Sequence, residues 1–433
     1  LAFLRCMGLP MRRRGLWAHA DFVRLWTAST VSVFGTLITR TALPFAAILV
    51  LGAGPLALSA LSIAELLPGF AIGLVAGAWV DRLRRRPIMI AADLGRAALL
   101  ATIPAAAVAG VLSLPQLYLV AFATSALSVF FDVAYQAYLP SLVGRADLVE
   151  GNAKLTAAGA VAEAGAFSIG GVLVQALTAP IAILVDAVSF LWSAFLIGRI
   201  AAPEPSPRRA GDEQRADNLR REIGDGLRAL RRDPALLALA GSSTLAQFTF
   251  GVGGTVYLLY VNQELGFSPG VLGVIFAVGG VSSLAGALVA GRLTRFGIGA
   301  VMIAALLLGS IGQALAPLAG SVGMGAAAVL LVAQQLISDS AITVYDIHDV
   351  SLRQAIAPER VLGRVVASIK ALEAAAMLAG ALFGGILGER AGLRPTLFIA
   401  AAVMALAAGW LAFSPVRGIR QTPSVAVDAA SAA

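Results

Sequence analysis

A small set of ionisable side chains stands inside stretches of this chain that are otherwise apolar. A charge at the centre of a hydrocarbon layer costs roughly 3 kcal/mol or more unless it is paired or wet, so each such group is a candidate for chemistry. Glu163 lies near the middle of one stretch, with Gly159, Gly165, Gly170 and Gly171 around it. Those glycines permit close helix approach. Hydrocarbon favours the neutral form of a carboxylate, so an acid placed there can take up and release a proton. Glu163 is the first candidate for that role and Asp339 the second; the alternative for each is a structural acid bonded to backbone or hydroxyl groups.

Gln335, Asp339, Asp346 and Asp349 follow helical spacing and share one broad face, flanked by Tyr345 and His348. Lys370 and Glu373 are one turn apart in the next apolar stretch, at a depth comparable to Asp346. Two readings are open: a proton or substrate path, or a salt-bridge cluster of Asp346 or Asp349 with Lys370 that closes the inner end. The cluster is favoured for the shallow residues and the path for Asp339. Arg40 and Glu65 each lie about 24 Å from the nearest arginine-bearing helix end, on neighbouring antiparallel segments. They are predicted to pair, either as a static bridge or as part of an outer gate, with Glu65 a further proton candidate beside Asp346. Asp93 and Arg96 form a one-turn pair. With Asp132, Asp81, Arg82, Arg85 and Arg86 they compose a candidate gating network. Arg40, Phe34, Gln247, Tyr257, Gln335 and Tyr345 are the candidates for lining a cavity, although an aromatic alone is more often ordinary packing.

Other chemistries find no support. Cys6 is the only cysteine and His19 and His348 the only histidines, so no metal centre is expected. No nucleophile–base constellation is evident, so an enzyme is not expected, and neither is an organic cofactor. The net charge of +8 is scattered between apolar segments rather than gathered on one face, which argues against nucleic acid.

The elements that position these residues are membrane-spanning helices. The chain is 59% hydrophobic and 13% charged, about half the charge of a soluble domain. Twelve apolar stretches approach the ~20 residues that cross a bilayer. Arginine marks one side: Arg82 and Arg84 to Arg86, then Arg292 and Arg295, then Arg353, Arg360 and Arg364. The connections near 52–56, 110–114, 177–180 and 317–321 carry no charge. Both termini and the middle loop are therefore expected in the cytoplasm. The expected plan is a tail over 1–21, a six-helix bundle over 22–202, a linker over 203–234, a second bundle over 235–414 and a disordered tail over 415–433. In the linker, Leu219, Ile223, Leu227 and Leu230 predict an amphipathic helix on the membrane surface. The apolar run in Leu1–Gly15 is too short for a signal-peptide core.

The halves repeat. Gln136-Ala137-Tyr138-Leu139-Pro140 matches Gln354-Ala355-Ile356-Ala357-Pro358. Gly77-Ala78-Trp79-Val80-Asp81-Arg82-Leu83 matches Ala287-Leu288-Val289-Ala290-Gly291-Arg292-Leu293. The fold class expected is an all-α polytopic membrane protein, twelve helices in two pseudo-symmetric six-helix bundles.

Gly77-x-x-x-Asp81-Arg82-x-Arg84-Arg85-Arg86 resembles the signature loop of the major facilitator superfamily. The family usually has Gly where Arg84 stands. Asp81 to Ile88, Leu139-Pro140-Ser141-Leu142-Val143, and Leu352-Arg353-Gln354 with Leu362-Gly363-Arg364-Val365 are similar to the bacterial drug:proton antiporter branch that includes enterobactin and macrolide exporters. The branch usually carries a Gly-Pro-x-x-Gly-Gly type segment where this chain reads Ala166 to Gly171. The resemblance implies alternating access, a cavity lined by the first, fourth, seventh and tenth helices, and a peripheral sixth helix that leaves Asp186 a packing role. It implies a monomer in the bacterial inner membrane, touching lipids and a hydrophobic or amphipathic small molecule, with export driven by the proton gradient. Alternatives are a lipid or lysolipid transporter, an uptake symporter and, in a different class, a non-transporting receptor or scaffold.

Overall fold

Helix ends follow local chemistry. Asp233 starts one helix, its carboxylate accepting from the backbone N–H of Ala235 and Leu236, with Pro234 in the first turn where a missing N–H costs nothing. His19 accepts from Phe22 N–H at 3.1 Å and starts another. Gly392, at φ +92°, turns the chain between two antiparallel helices in a conformation that disfavours a side chain. Thr178 does the same at φ +81° without being glycine.

The computed structural model describes residues 15–421 except 81, 145–146, 203, 205–223, 225 and 227. Among these residues twelve long helices run in order: α1 Ala20–Leu51, α2 Pro55–Val80, α3 Arg85–Val108, α4 Leu114–Val143, α5 Leu148–Leu177, α6 Ala179–Gly198, α7 Pro234–Leu259, α8 Pro269–Leu293, α9 Ile298–Leu318, α10 Met324–Ile356, α11 Glu359–Ala391 and α12 Leu393–Ala412. Eleven are long and apolar enough to cross a membrane. The twelfth, α5, has 30 residues, ample for a bilayer core, but is diluted by Glu150, Lys154 and Glu163. Apolar stripes on the outside explain why a membrane is needed. On α6, Ile181, Leu184, Val188, Leu191 and Phe195 are all exposed at helical spacing.

The second half packs as the first does. Helix α1 packs on α5 and α6, α4 on α2 and α3, and α3 on α6. In the same pattern α7 packs on α11 and α12, α10 on α8 and α9, and α9 on α12. The two bundles join through α2 with α11 and through α5 with α8, pairs exchanged by the same six-helix offset.

Two expectations change. Residues 415–420 are ordered: Pro415–Gly418 forms a 3-10 turn, Val416 is buried, and the Ile419 carbonyl accepts from Gly299 N–H at 3.0 Å. The tail therefore caps the start of α9, whose first N–H groups would otherwise lack partners. The linker helix does not float on lipid where it is described. Leu230 is buried with Leu236, Val365 and Ile369, and Gly226 abuts the Arg364 carbonyl of α11. Leu219, Ile223 and Leu227 lie outside the described residues.

Candidate functional site

The bundles meet at the end opposite the arginine-rich loops. Gly171 of α5 lies against the Pro269 carbonyl and Gly273 of α8, where a side chain would meet backbone. Gln175 of α5 accepts from Ser268 Oγ at 3.0 Å and from Gly270 N–H at 2.9 Å. On the other seam, Ser59 of α2 donates to the Ala381 carbonyl of α11 at 2.8 Å, while Gly385 and Gly388 approach Ser59 and Pro55. Toward the arginine-rich end, Gly69, Gly159, Gly291 and Gly363 on the same four helices have open space beside them. The described contacts between the bundles gather at the end opposite the arginine-rich loops.

Seam closure yields a direct prediction. Gly171→Leu drives a side chain into the α8 backbone, which cannot move aside as a flexible side chain can. Closure at this end is expected to fail and flux to fall at least about tenfold, as overpacking costs ~1–3 kcal/mol. Cysteines at Gln175 and Ser268 should cross-link readily without that substitution and poorly with it.

The charged residues that the sequence singled out are spread over both bundles. Asp339 sits halfway along α10 beside Gly279 of α8, where Gln335 also fills the space left by the missing side chain. The Asp339 carboxylate is half-buried and has no hydrogen-bond or ion-pair partner among the described residues. Next to it, Tyr257 of α7 donates to Gln334 Oε1 at 3.0 Å and packs its ring on Phe276 of α8, centroids 6.0 Å apart. Gln334, missed in the sequence, thus joins Tyr257, Gln335 and Asp339 in one polar cluster. Its neighbour Gln335 was the only signal.

The predicted Arg40–Glu65 bridge does not form as a direct contact: no ion pair joins them among the described residues, although Glu65 lies within electrostatic range of Arg40. The Glu65 backbone carbonyl accepts from Ser125 of α4 at 2.6 Å, fastening α2 to α4. On α1, Ile38 and Thr41 face Gly170 of α5, while Gly35 and Thr39 face Asp186 of α6. Helical geometry therefore turns exposed Arg40 away from both neighbours. Phe34 is not a free cavity wall, since it packs with Leu37, Ala162 and Ala166 where α1 crosses α5. Glu163 lies on α5, but its side chain is outside the described residues. Gln247 is half-buried on α7.

Tyr345 is corrected from cavity wall to core. It is 1% exposed, and its hydroxyl shares a 2.8 Å hydrogen bond with Ser242 Oγ of α7. Below it, Arg353 binds Asp349 through Nε at 3.0 Å and Glu373 of α11 through Nη2 at 3.0 Å. Lys370 reaches the other Glu373 oxygen at 2.9 Å. The cluster therefore differs from an Asp–Lys370 bridge. Its hub is Arg353, read in the sequence as a loop charge but 4% exposed inside α10. The i,i+4 spacing of Asp349 and Arg353 was the available signal. Asp346 is exposed, within electrostatic range of Glu373, Lys370 and Arg353.

In the first half Asp93 pairs with Arg96 in the middle of α3, both buried. The Arg96 guanidinium bonds Ser128 Oγ at 3.1 Å and lies over Phe131 at 4.5 Å and Phe190 at 4.0 Å, which seals it from the loop. Exposed Asp132 is in electrostatic range of Arg96 but makes no described ion pair. Arg86 instead bonds the carbonyls of Ile197 and Gly198 at the end of α6. One continuous network from loop to α3 is thus not what the described residues form. Arg82 is exposed and Arg85 half-buried, Asp81 lies outside the described residues, and Gly77 is helical within α2. Asp186 is buried and accepts from Thr39 Oγ1 at 2.6 Å and Ser189 Oγ at 3.0 Å, joining α6 to α1.

Among the described residues no group of three or more His, Cys, Asp or Glu side chains is arranged to hold a metal ion. The arrangement offers instead a mid-helix carboxylate, Asp339, without a described partner, beside the amides of Gln334 and Gln335.

Comparisons with known proteins agree with this architecture. The model of the Major Facilitator Superfamily matches residues 25–345. The chain is 25% identical over 379 residues to an uncharacterized MFS-type transporter, YfiS, of Bacillus subtilis (strain 168), covering 85% of this chain and 87% of that one. Among solved structures it is similar to a bacterial homologue of the iron transporter ferroportin in its inward-facing state, with TM-score 0.71, 18% identity, and 90% and 98% of the two chains covered. The outward-facing state of a bacterial ferroportin homologue gives TM-score 0.57 at 18% identity, with the same coverage. The nucleoside transporter NupG gives TM-score 0.71 at 14% identity, covering 90% of this chain and 99% of its own.

Proposed function

The chain belongs to the Major Facilitator Superfamily, and from that premise we propose that it exports a hydrophobic or amphipathic small molecule in exchange for protons. The observation that carries proton coupling is Asp339: a mid-helix carboxylate, half-buried, with no described partner. A carboxylate needed only to hold helices together would be bonded, as Asp186 and Asp349 are. An acid that must exchange protons keeps access and stays unpaired. Glu65 and Glu163 are secondary carriers in this reading. The drug:proton antiporter branch is its natural place.

Arginine at one end supports placing that end, with both termini, in the cytoplasm. In that orientation the seams at Gly171 and Gly385 close the outside, and the cavity opens inward. Arg40, Tyr257, Gln334 and Gln335 offer the polar contacts that orient a substrate between apolar walls. Alternating access then needs the α2–α11 and α5–α8 seams to part at one end and form at the other.

The test is transport in inverted vesicles. A fluorescent amphipathic cation should accumulate when an inside-acidic gradient is imposed, and should stop when the gradient is collapsed with nigericin. Flux indifferent to the gradient would remove proton exchange, and flux of opposite sidedness would remove export.

A further inference from the structure

We infer that a groove beside the start of α3 seats one anionic glycerophospholipid, its phosphate at Arg84 and an acyl chain along α3. This stands apart from the transport cavity. The groove has a volume of about 730 Å³ and runs between α3 and the segment that follows α6. That size falls in the ~300–1,000 Å³ range of small-molecule sites.

Its lining has two parts. Pro87, Ile90, Ala91 and Leu94 form an apolar wall. Of these, Pro87, Ala91 and Leu94 are exposed at helical spacing, so the wall is part of the face α3 shows to lipid. It extends about 14 Å from the helix start, close to the ~15 Å hydrocarbon depth of one leaflet. At its mouth stand Arg84, Arg86 and Glu204.

The charges at the mouth are unequal in availability. The Glu204 carboxylate accepts from the backbone N–H groups of Arg85 and Arg86, capping α3. Its oxygens are thereby committed to the protein. Arg86 is anchored by the Ile197 and Gly198 carbonyls, which fix its position without neutralising it. Arg84 is exposed and has no hydrogen-bond or ion-pair partner among the described residues. The mouth is therefore net positive, with one fixed and one free guanidinium, at the level where helix ends meet headgroups. A soluble phosphate would gain nothing from the apolar wall, and a zwitterionic lipid would bring an ammonium to a positive mouth. An anionic lipid satisfies both parts.

Native mass spectrometry tests this on the full chain released from nanodiscs of equal phosphatidylglycerol and phosphatidylcholine. One phosphatidylglycerol should be retained about fivefold over phosphatidylcholine, the factor one arginine contributes near a membrane. Arg84→Gln, at an exposed unpartnered site, should lower retention about fivefold, and Ala91→Trp, which fills the groove without changing charge, should bring the two lipids to equal retention. Arg292→Gln on α8 should leave it unchanged. Equal retention of the two lipids in wild type overturns the inference. So does a loss in Arg84→Gln with none in a monodisperse Ala91→Trp, which would mean charge attraction without a seat.

Discussion

Asp339→Asn is expected to reduce gradient-driven flux by at least about tenfold, a barrier increase of ~1.4 kcal/mol or more. The amide keeps the size of the carboxyl beside Gly279 but cannot carry a proton. Space there is tight, since a side-chain carbon on Gly279 would collide with Asp339 and lie 2.8 Å from Gln335 Nε2. A near-isosteric change therefore leaves the α8–α10 packing in place and isolates the titration. Downhill substrate exchange without a gradient should persist, and the remaining flux should lose its pH dependence. Glu65→Gln is expected to have a smaller effect, because Arg40 already shares the field at that site. Wild-type coupled flux in Asp339→Asn would transfer the carrier role to Glu65 or Glu163.

The largest stability effect is expected at Arg353. Its guanidinium is the shared partner of Asp349 and Glu373, all three buried. Arg353→Met leaves two carboxylates without that charge, and among the described cations Lys370, whose side chain is 66% exposed, is the one still paired with Glu373. Breaking a buried ion cluster from one side costs about 3–5 kcal/mol. Thermal unfolding in detergent should show a large drop in melting temperature for Arg353→Met. Combining it with Asp349→Leu and Glu373→Met should restore most of the loss, because removing every charge also removes the desolvation penalty. A triple variant as unstable as the single one would mean that packing, not uncompensated charge, sets the cost. In transport the triple variant is the informative one, since a cluster used only to hold α10 to α11 can be replaced by apolar contact.

How much was legible in the sequence depends on the range of the interaction. Asp93–Arg96 and Lys370–Glu373 are one turn apart, so helical geometry alone predicts them. Arg40 and Glu65 were placed at matching depth by counting residues, yet depth does not fix rotation, and the two do not touch. Tyr345 lies on a polar face by spacing, but Ser242 of α7 meets its hydroxyl and closes the core over it. Arg353 was read as a loop charge because α10 extends further past its apolar run than hydropathy alone suggests. Gln175 and Ser59 carried no local signal, and Gly171 signalled close approach without naming its neighbour, since their partners are on the other bundle.

By itself the amino-acid order determined the number of helices, the repeat of six and the sidedness of arginine. Each of these reflects a local transfer of side chains between water and hydrocarbon, which is additive along the chain. Only the tertiary structure decided which end is sealed, which acids are bonded and which stay open. Those outcomes depend on helix rotation and on contacts between residues hundreds of positions apart, where an error of a fraction of a turn exchanges a partner for empty space.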